Sequence, residues 1–212
     1  MNALATLAPA LGLAYASGIS LYSTVALLGI AQRWGVVSGV PAPLDGLQNP
    51  WIIGLAFTLT VIEFAGTLVP GVASAWDAVH SLIRPPAAAA MAVLAAWHGD
   101  TALVIAAGLL GGSLGLATHA TKLGVRLAVD SSPEPVTNGL ANVAELGTVA
   151  LVVTFVWGHP FLTLAAAIAL LIGVMWVMRR VWRKLRSMFR ATAVQDPNPK
   201  TSTKVSEFPS GS

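Results

Sequence analysis

Leu170-Leu171-Ile172-Gly173-Val174-Met175-Trp176-Val177-Met178 runs straight into Arg179-Arg180-Val181-Trp182-Arg183-Lys184-Leu185-Arg186, and Arg190 completes six basic residues within twelve positions. An apolar helix of ~20 residues crosses the ~30 Å hydrocarbon core of a bilayer. Cationic side chains at the end of such a helix are retained on the cytoplasmic side. The change of composition after Met178 therefore reads as the end of a membrane segment with its cytoplasmic flank attached.

Composition supports this. Of 212 residues, 55% are hydrophobic and only 10% charged, with a mean hydropathy of +0.73. A soluble domain carries about 25% charged residues, so this chain lacks the polar surface to stay in water. The net charge of +3 does not point to nucleic acid, because half of the twelve Lys and Arg lie in the block after Met178. Beside an apolar segment, that block reads as an anchor facing anionic lipid headgroups. With no cysteine, disulfides, thiolate nucleophiles and thiolate metal sites are excluded. Ala14-Tyr15-Ala16 has the small-x-small form of a cleavage site, yet no positive charge precedes it and the apolar pattern continues beyond, which predicts an uncleaved first helix.

Working back from Met178, six apolar segments emerge. The first runs from Leu4 to Ala31, interrupted at Ser17, Gly18 and Ser20. The second, Trp51 to Val69, carries Glu63. An amphipathic stretch, Ala73 to Arg84, is closed by Pro85-Pro86, since neither proline donates a helical bond. The third, Ala87 to Trp97, has eleven residues, ~17 Å of helix, and must borrow from the amphipathic stretch to cross. The fourth runs from Thr101 to about Thr121, with Gly108, Gly111, Gly112 and Gly115 along it, a spacing that favours close helix approach. The fifth, Gly139 to Trp157, carries Glu145, and Gly158-His159-Pro160 turns into the sixth, Phe161 to Met178.

The expected architecture is an all-α polytopic membrane bundle over residues 1–190, with a disordered cytoplasmic tail at 191–212. Six spans put both termini on one side, and the basic block makes that side cytoplasmic. Arg84, Lys122 and Arg126 then fall inside and only Arg33 outside, the asymmetry expected of a bacterial inner-membrane protein. Three short matches recur in order: Leu11-Gly12-Leu13-Ala14 with Leu114-Gly115-Leu116-Ala117, Pro41-Ala42-Pro43 with Pro133-Glu134-Pro135, and Glu63-Phe64-Ala65-Gly66-Thr67 with Glu145-Leu146-Gly147-Thr148. They suggest two inverted three-helix units, 4–97 and 101–178. Against this, Asn49 precedes Glu63 by fourteen residues but Asn138 precedes Glu145 by seven.

Chemistry concentrates on few residues. Ionised carboxylates in hydrocarbon face a bundle interior, pair with a cation or hold a proton. Glu63 and Glu145 are thus a proton- or cation-binding pair, or else structural groups bonded to neighbouring helices. On the fourth segment Thr118, Thr121 and Lys122 share one face, and His119 and Arg126 another. Lys122 is placed to neutralise a glutamate, whereas Arg126 is read as snorkelling to the headgroups. Asp77 and His80 have metal-ligand spacing, with His119 or a glutamate needed to complete a site; the alternative is the wet face of an interfacial helix. His98 and His159, at helix ends, are read as solvated. Ser17-Gly18-Ile19-Ser20-Leu21-Tyr22 either breaks a membrane helix to expose carbonyls or packs helices closely.

Four motifs in order, Ser17-Gly18-Ile19-Ser20-Leu21-Tyr22, Trp76-Asp77-Ala78-Val79-His80-Ser81-Leu82-Ile83-Arg84-Pro85, Thr118-His119-Ala120-Thr121-Lys122 and Ser132-Pro133-Glu134-Pro135, resemble the bacterial membrane family called domain of unknown function 4126. The likeness covers most of Leu11 to Trp157. It departs at Gly66-Thr67, where the family tends to carry an Asp-Lys pair. The resemblance implies a multi-span inner-membrane protein and brings no activity.

The leading expectation is a small transporter or channel-like protein handling a small ion or solute, with a buried polar site formed by Glu63, Glu145, His119 and Lys122, and with Asp77, His80, Ser17, Ser20 and Tyr22 around it. The alternative is a non-transporting scaffold or lipid-organising subunit whose polar groups fix helix registry. No metal quartet, nucleophile with base or nucleotide loop marks an enzyme. No cofactor is expected, the bilayer is the expected partner, and a homodimer is left open.

Overall fold

The computed structural model describes residues 3–69, 72–130 and 135–194, and every regular element among them is helical. In chain order these are α1 (Ala3–Ile19), α2 (Leu21–Arg33), a 3-10 segment (Ala42–Gln48), α3 (Pro50–Gly66), α4 (Val72–Ala95), α5 (Thr101–Asp130), α6 (Pro135–Phe155) and α7 (Pro160–Val194). The chain divides into two bodies, Met1–Met175 and Trp176–Ser212.

Three stretches are long and apolar enough to cross a membrane: Ala75–Ala95, Thr101–Arg126 and Thr137–Phe155. The 3-10 segment and α3 make a fourth if their 72° bend is counted within one span, and Ala3–Ile19 and Pro160–Gly173 are apolar but shorter. The six expected segments are all helical, while by length and hydropathy three to four of the described helices are candidate spans.

Local chemistry sets the helix ends. The Asn49 side chain accepts from the Trp51 N–H at 2.9 Å to cap α3, with Pro50 at the first helical position, where its missing N–H costs nothing. The Asp100 carboxylate accepts from the Leu103 N–H at 2.9 Å to start α5. Gly35 (φ 69°) closes α2 in the left-handed region, with the Val36 N–H on Ala31 O at 2.8 Å, the glycine-ended helix stop.

The expected interruption of the first segment falls at Ser20, whose extended backbone (φ −149°, ψ 106°) separates two helices. Four boundaries differ from the sequence expectation. Pro85 and Pro86 lie inside α4 and do not end it. Proline's fixed φ is compatible with a helix, and neighbouring elements re-satisfy freed groups in apolar bundles; the packing of α4 along α5 and α1 outweighs the two missing donors. The third segment thus borrows the amphipathic stretch. The fourth continues from Thr121 to Asp130, and the fifth starts at Pro135, so most of the expected loop Asp130–Asn138 is helix; Ser132-Pro133-Glu134 lies outside the described residues. In the second body the helix runs on past Arg190 to Val194, correcting the start of the expected tail. The remainder, 195–212, lies outside the described residues. In the second body the Arg180 guanidinium stands 5.1 Å over the Trp176 ring.

The core of the first body lies where α1, α4 and α5 cross. Small residues bring the backbones together: a Cβ added at Gly115 would overlap the Ala88 Cβ, one at Gly111 the Ala92 Cβ, and one at Gly18 would stand 2.7 Å from Gly115 O. Ala10, Leu13, Ala14, Ala88, Ala92 and Ala107 fill this junction and are fully buried. Outward-facing Leu82, Leu109, Leu151 and Leu162 are exposed, an apolar surface consistent with a membrane protein.

Candidate functional site

Beside the break at Ser20, four helices deliver charged side chains to one place. From α3 comes Glu63, from α4 Asp77 and Arg84, from α5 Lys122 and Arg126, and from α6 Glu145. Arg84, wholly buried, pairs with Glu63. The Lys122 ammonium lies 3.0 Å from Glu63 Oε1 and 2.7 Å from Glu145 Oε2. Arg126 stands 3.4 Å from Asp77 and 3.7 Å from Glu145. Three cations and three carboxylates therefore neutralise one another, the condition on which ions are tolerated away from water.

The Lys122 ammonium is engaged on three sides: it donates to Glu63 and to Ile19 O, each at 3.0 Å, and is ion-paired with Glu145 at 2.7 Å. Ile19 ends α1 at the break, so the interrupted helix supplies the carbonyl that the lysine needs. Both readings of the Ser17–Tyr22 motif hold in part: Gly18 packs against α5 and the break frees a carbonyl.

Around the ion pairs, hydrogen-bond directions follow from which partner has a proton to give. The Arg84 guanidinium only donates, so His119 Nδ1, 2.9 Å away, accepts. Its Nε2 then carries the proton and donates to Ser81 Oγ at 3.0 Å, while the Ser81 hydroxyl donates to Asp77 O at 2.8 Å. His80 is the other tautomer: Nδ1 donates to Trp76 O at 2.7 Å, and Nε2 accepts from the Tyr22 hydroxyl at 3.0 Å. The Trp76 ring stacks on His80 at 4.5 Å between centroids. Asn142 links the ends of two helices, donating to Thr67 Oγ1 at 2.7 Å and accepting from Arg126 at 3.2 Å. Ser20 Oγ lies 3.2 Å from Glu63 Oε2 and 2.8 Å from Ser23 Oγ.

The structure thus brings Glu63, Glu145, Lys122, His119, Asp77 and Ser20 together, with His80 and Tyr22 at the edge. Ser17 is buried with an unpartnered hydroxyl and makes no contact with the ion pairs. Three expectations are corrected. Asp77, His80 and Arg84 are buried, not on a wet face, because α4 packs that face inward. Arg126 does not snorkel; it is 8% exposed and held by Asp77, Glu145 and Asn142. The metal candidates Asp77, His80 and His119 do not assemble, since both ring nitrogens of each histidine have protein partners and Asp77 faces Arg126. Among the described residues no group of three His, Asp or Glu side chains is placed to hold a metal. His98 and His159 are exposed. Sequence reasoning missed Arg84 as the buried partner of Glu63, and also Asn142 and Thr67. A signal for Arg84 existed: it follows Asp77 by seven residues, two helical turns, and so shares its face.

Two spaces adjoin the cluster. One, of about 30 Å³, is lined by the oxygen-bearing side chains of Ser20, Ser23, Thr60, Glu63, Asn142 and Glu145 together with the apolar Phe64 and Leu146. The other, of about 270 Å³, lies across Glu145, with Thr118, Thr121, Lys122 and Thr148 in its wall. Glu145 lines both, and its side chain is 23% exposed against 7% for Glu63.

Fold and apolar surface define an all-helical protein with membrane-length helices. The chain belongs to the family described as Domain of unknown function (DUF4126), which matches residues 7–180. No curated protein and no solved structure matches it.

Proposed function

We propose that this chain is a small membrane transporter in which Lys122 and a small monovalent cation compete for the Glu145 carboxylate. The observation that carries this reading is the place of Glu145. It is bonded to Lys122 at 2.7 Å and forms part of the wall of a space on either side. The smaller space, about 30 Å³, accommodates one water or one ion of similar size, and its oxygen donors suit a hard cation or a hydronium. When a cation takes Glu145, Lys122 retains Glu63 and Ile19 O, so it is not left without a counter-charge. A carboxylate that exchanges partners within a closed set of charges is a two-state element, and transport needs one.

A second reading is favoured by a different observation: among the described residues every buried cation already has a carboxylate partner. On that reading the cluster fixes helix registry in a scaffold and exchanges nothing. Reconstitution separates the two. Proteoliposomes on a solid-supported membrane, given a jump in sodium concentration or in pH, are expected to show a transient charge displacement that Glu145→Gln removes. A flat response to both jumps favours the scaffold.

A further inference from the structure

The space of about 270 Å³ beside Glu145 does not end there. It shares Tyr15 and Thr148 as walls with a second space of about 380 Å³, lined by Leu151, Val152, Phe155, Leu162, Ala166 and Ala167. Together they form a groove along α6, polar at Lys122 and Glu145 and apolar beyond Thr148. From Ala141 to Phe155 it follows fifteen residues of helix, ~21 Å, the length of a medium alkyl chain with its head.

The polar end is selective in sign. Lys122 is already engaged on three sides, donating to Ile19 O and to Glu63 and ion-paired with Glu145 at 2.7 Å. The hydroxyls of Thr118, Thr121 and Thr148 each donate to a carbonyl one turn back, Leu114 O, Ala117 O and Ala144 O, all at 2.8 Å. Their oxygens therefore reach the groove as acceptors. Glu145 Oε1 lies 3.7 Å from Arg126, beyond hydrogen-bond range, and keeps its accepting capacity. A head site rich in acceptors, with its one ammonium already engaged, disfavours an anionic headgroup and suits one that carries N–H donors and positive charge.

We infer that the groove binds an amphiphilic ammonium, its head on Glu145 and the threonine hydroxyls and its alkyl chain between α6 and the Pro160–Gly173 part of α7. This rests on the proposed exchange at Glu145 and gives it a substrate class: the organic cation and the small cation compete for one carboxylate from opposite sides. Twelve-carbon amphiphiles that differ only in the head test it. Native mass spectrometry of the full chain released from maltoside micelles measures the binding of dodecylammonium, dodecanol and dodecanoate.

Dodecylammonium is expected to bind about ten-fold or more tighter than dodecanoate, the scale of a charged hydrogen bond. Glu145→Gln should bring it down to the level of dodecanol. Ala166→Trp, an exposed position that fills the apolar end, should weaken all three. Equal or tighter binding of dodecanoate, or ammonium binding untouched by either substitution, overturns the inference. The ranking of the three heads on the unaltered chain decides by itself if a variant does not fold. Ammonium binding without any charge displacement in proteoliposomes would remove the transporter and leave this site standing.

Discussion

Replacing Arg84 with methionine is expected to destabilise the folded chain by about 3–5 kcal/mol, the cost of leaving one partner of a buried ion pair unmatched. Arg84 is wholly buried, pairs with Glu63 and donates to His119. Its loss leaves three carboxylates facing two cations and deprives His119 Nδ1 of its donor. The paired change Arg84→Met with Glu63→Gln should recover much of the loss. It leaves Lys122 with Glu145 and Arg126 with Asp77, two cations against two carboxylates. Denaturant unfolding in mixed micelles measures both, and the difference from additivity is the coupling. A cost under about 1 kcal/mol for Arg84→Met, the range of a solvent-screened pair, would mean the cluster is wetter than its burial indicates.

The second large effect concerns packing. Gly115→Leu should cost about 3 kcal/mol or more, since overfilling a tight contact forces backbones apart. The added Cβ would overlap Ala88, and α1 approaches the same residue through Gly18. Gly147→Leu is the control. It sits on a membrane-length helix with open space around an added Cβ, so leucine should be neutral or stabilising through its better helix propensity. Equal costs at the two glycines would mean that the small residues of α5 do not set the approach of α1 and α4.

These two sites show what the sequence carries and what it withholds. The glycine spacing on α5 and the lone glutamates in apolar segments are visible in one dimension, because helical periodicity and the cost of buried charge are local rules. Thr118, Thr121 and Lys122 were expected on one face and all line the larger space, while His119 and Arg126 turn to the other. Arg84 was hidden by its neighbours: Pro85-Pro86 reads as a helix end, and a residue at a helix end reads as an interfacial cation. Only the packing of α4 against α5 and α1 keeps the helix going and carries Arg84 into the interior. Arg126 misled for a related reason. Its distance along α5 suggested the headgroups, but α5 runs on to Asp130, leaving Arg126 a turn inside. The link from Thr67 through Asn142 to Arg126 joins residues from three helices, and nothing within any one of them announces it.

The central claim is that Glu145 changes partners while Glu63 does not. Infrared difference spectroscopy of the reconstituted protein, with glutamate carboxyls carbon-13 labelled and the bathing solution switched between high and low sodium or between two pH values, reads the carboxylate bands directly. The expected result is a band change that persists in Glu63→Gln and disappears in Glu145→Gln. No glutamate band responding to either switch, or a response that survives Glu145→Gln, would contradict the account and leave a static ion-pair network.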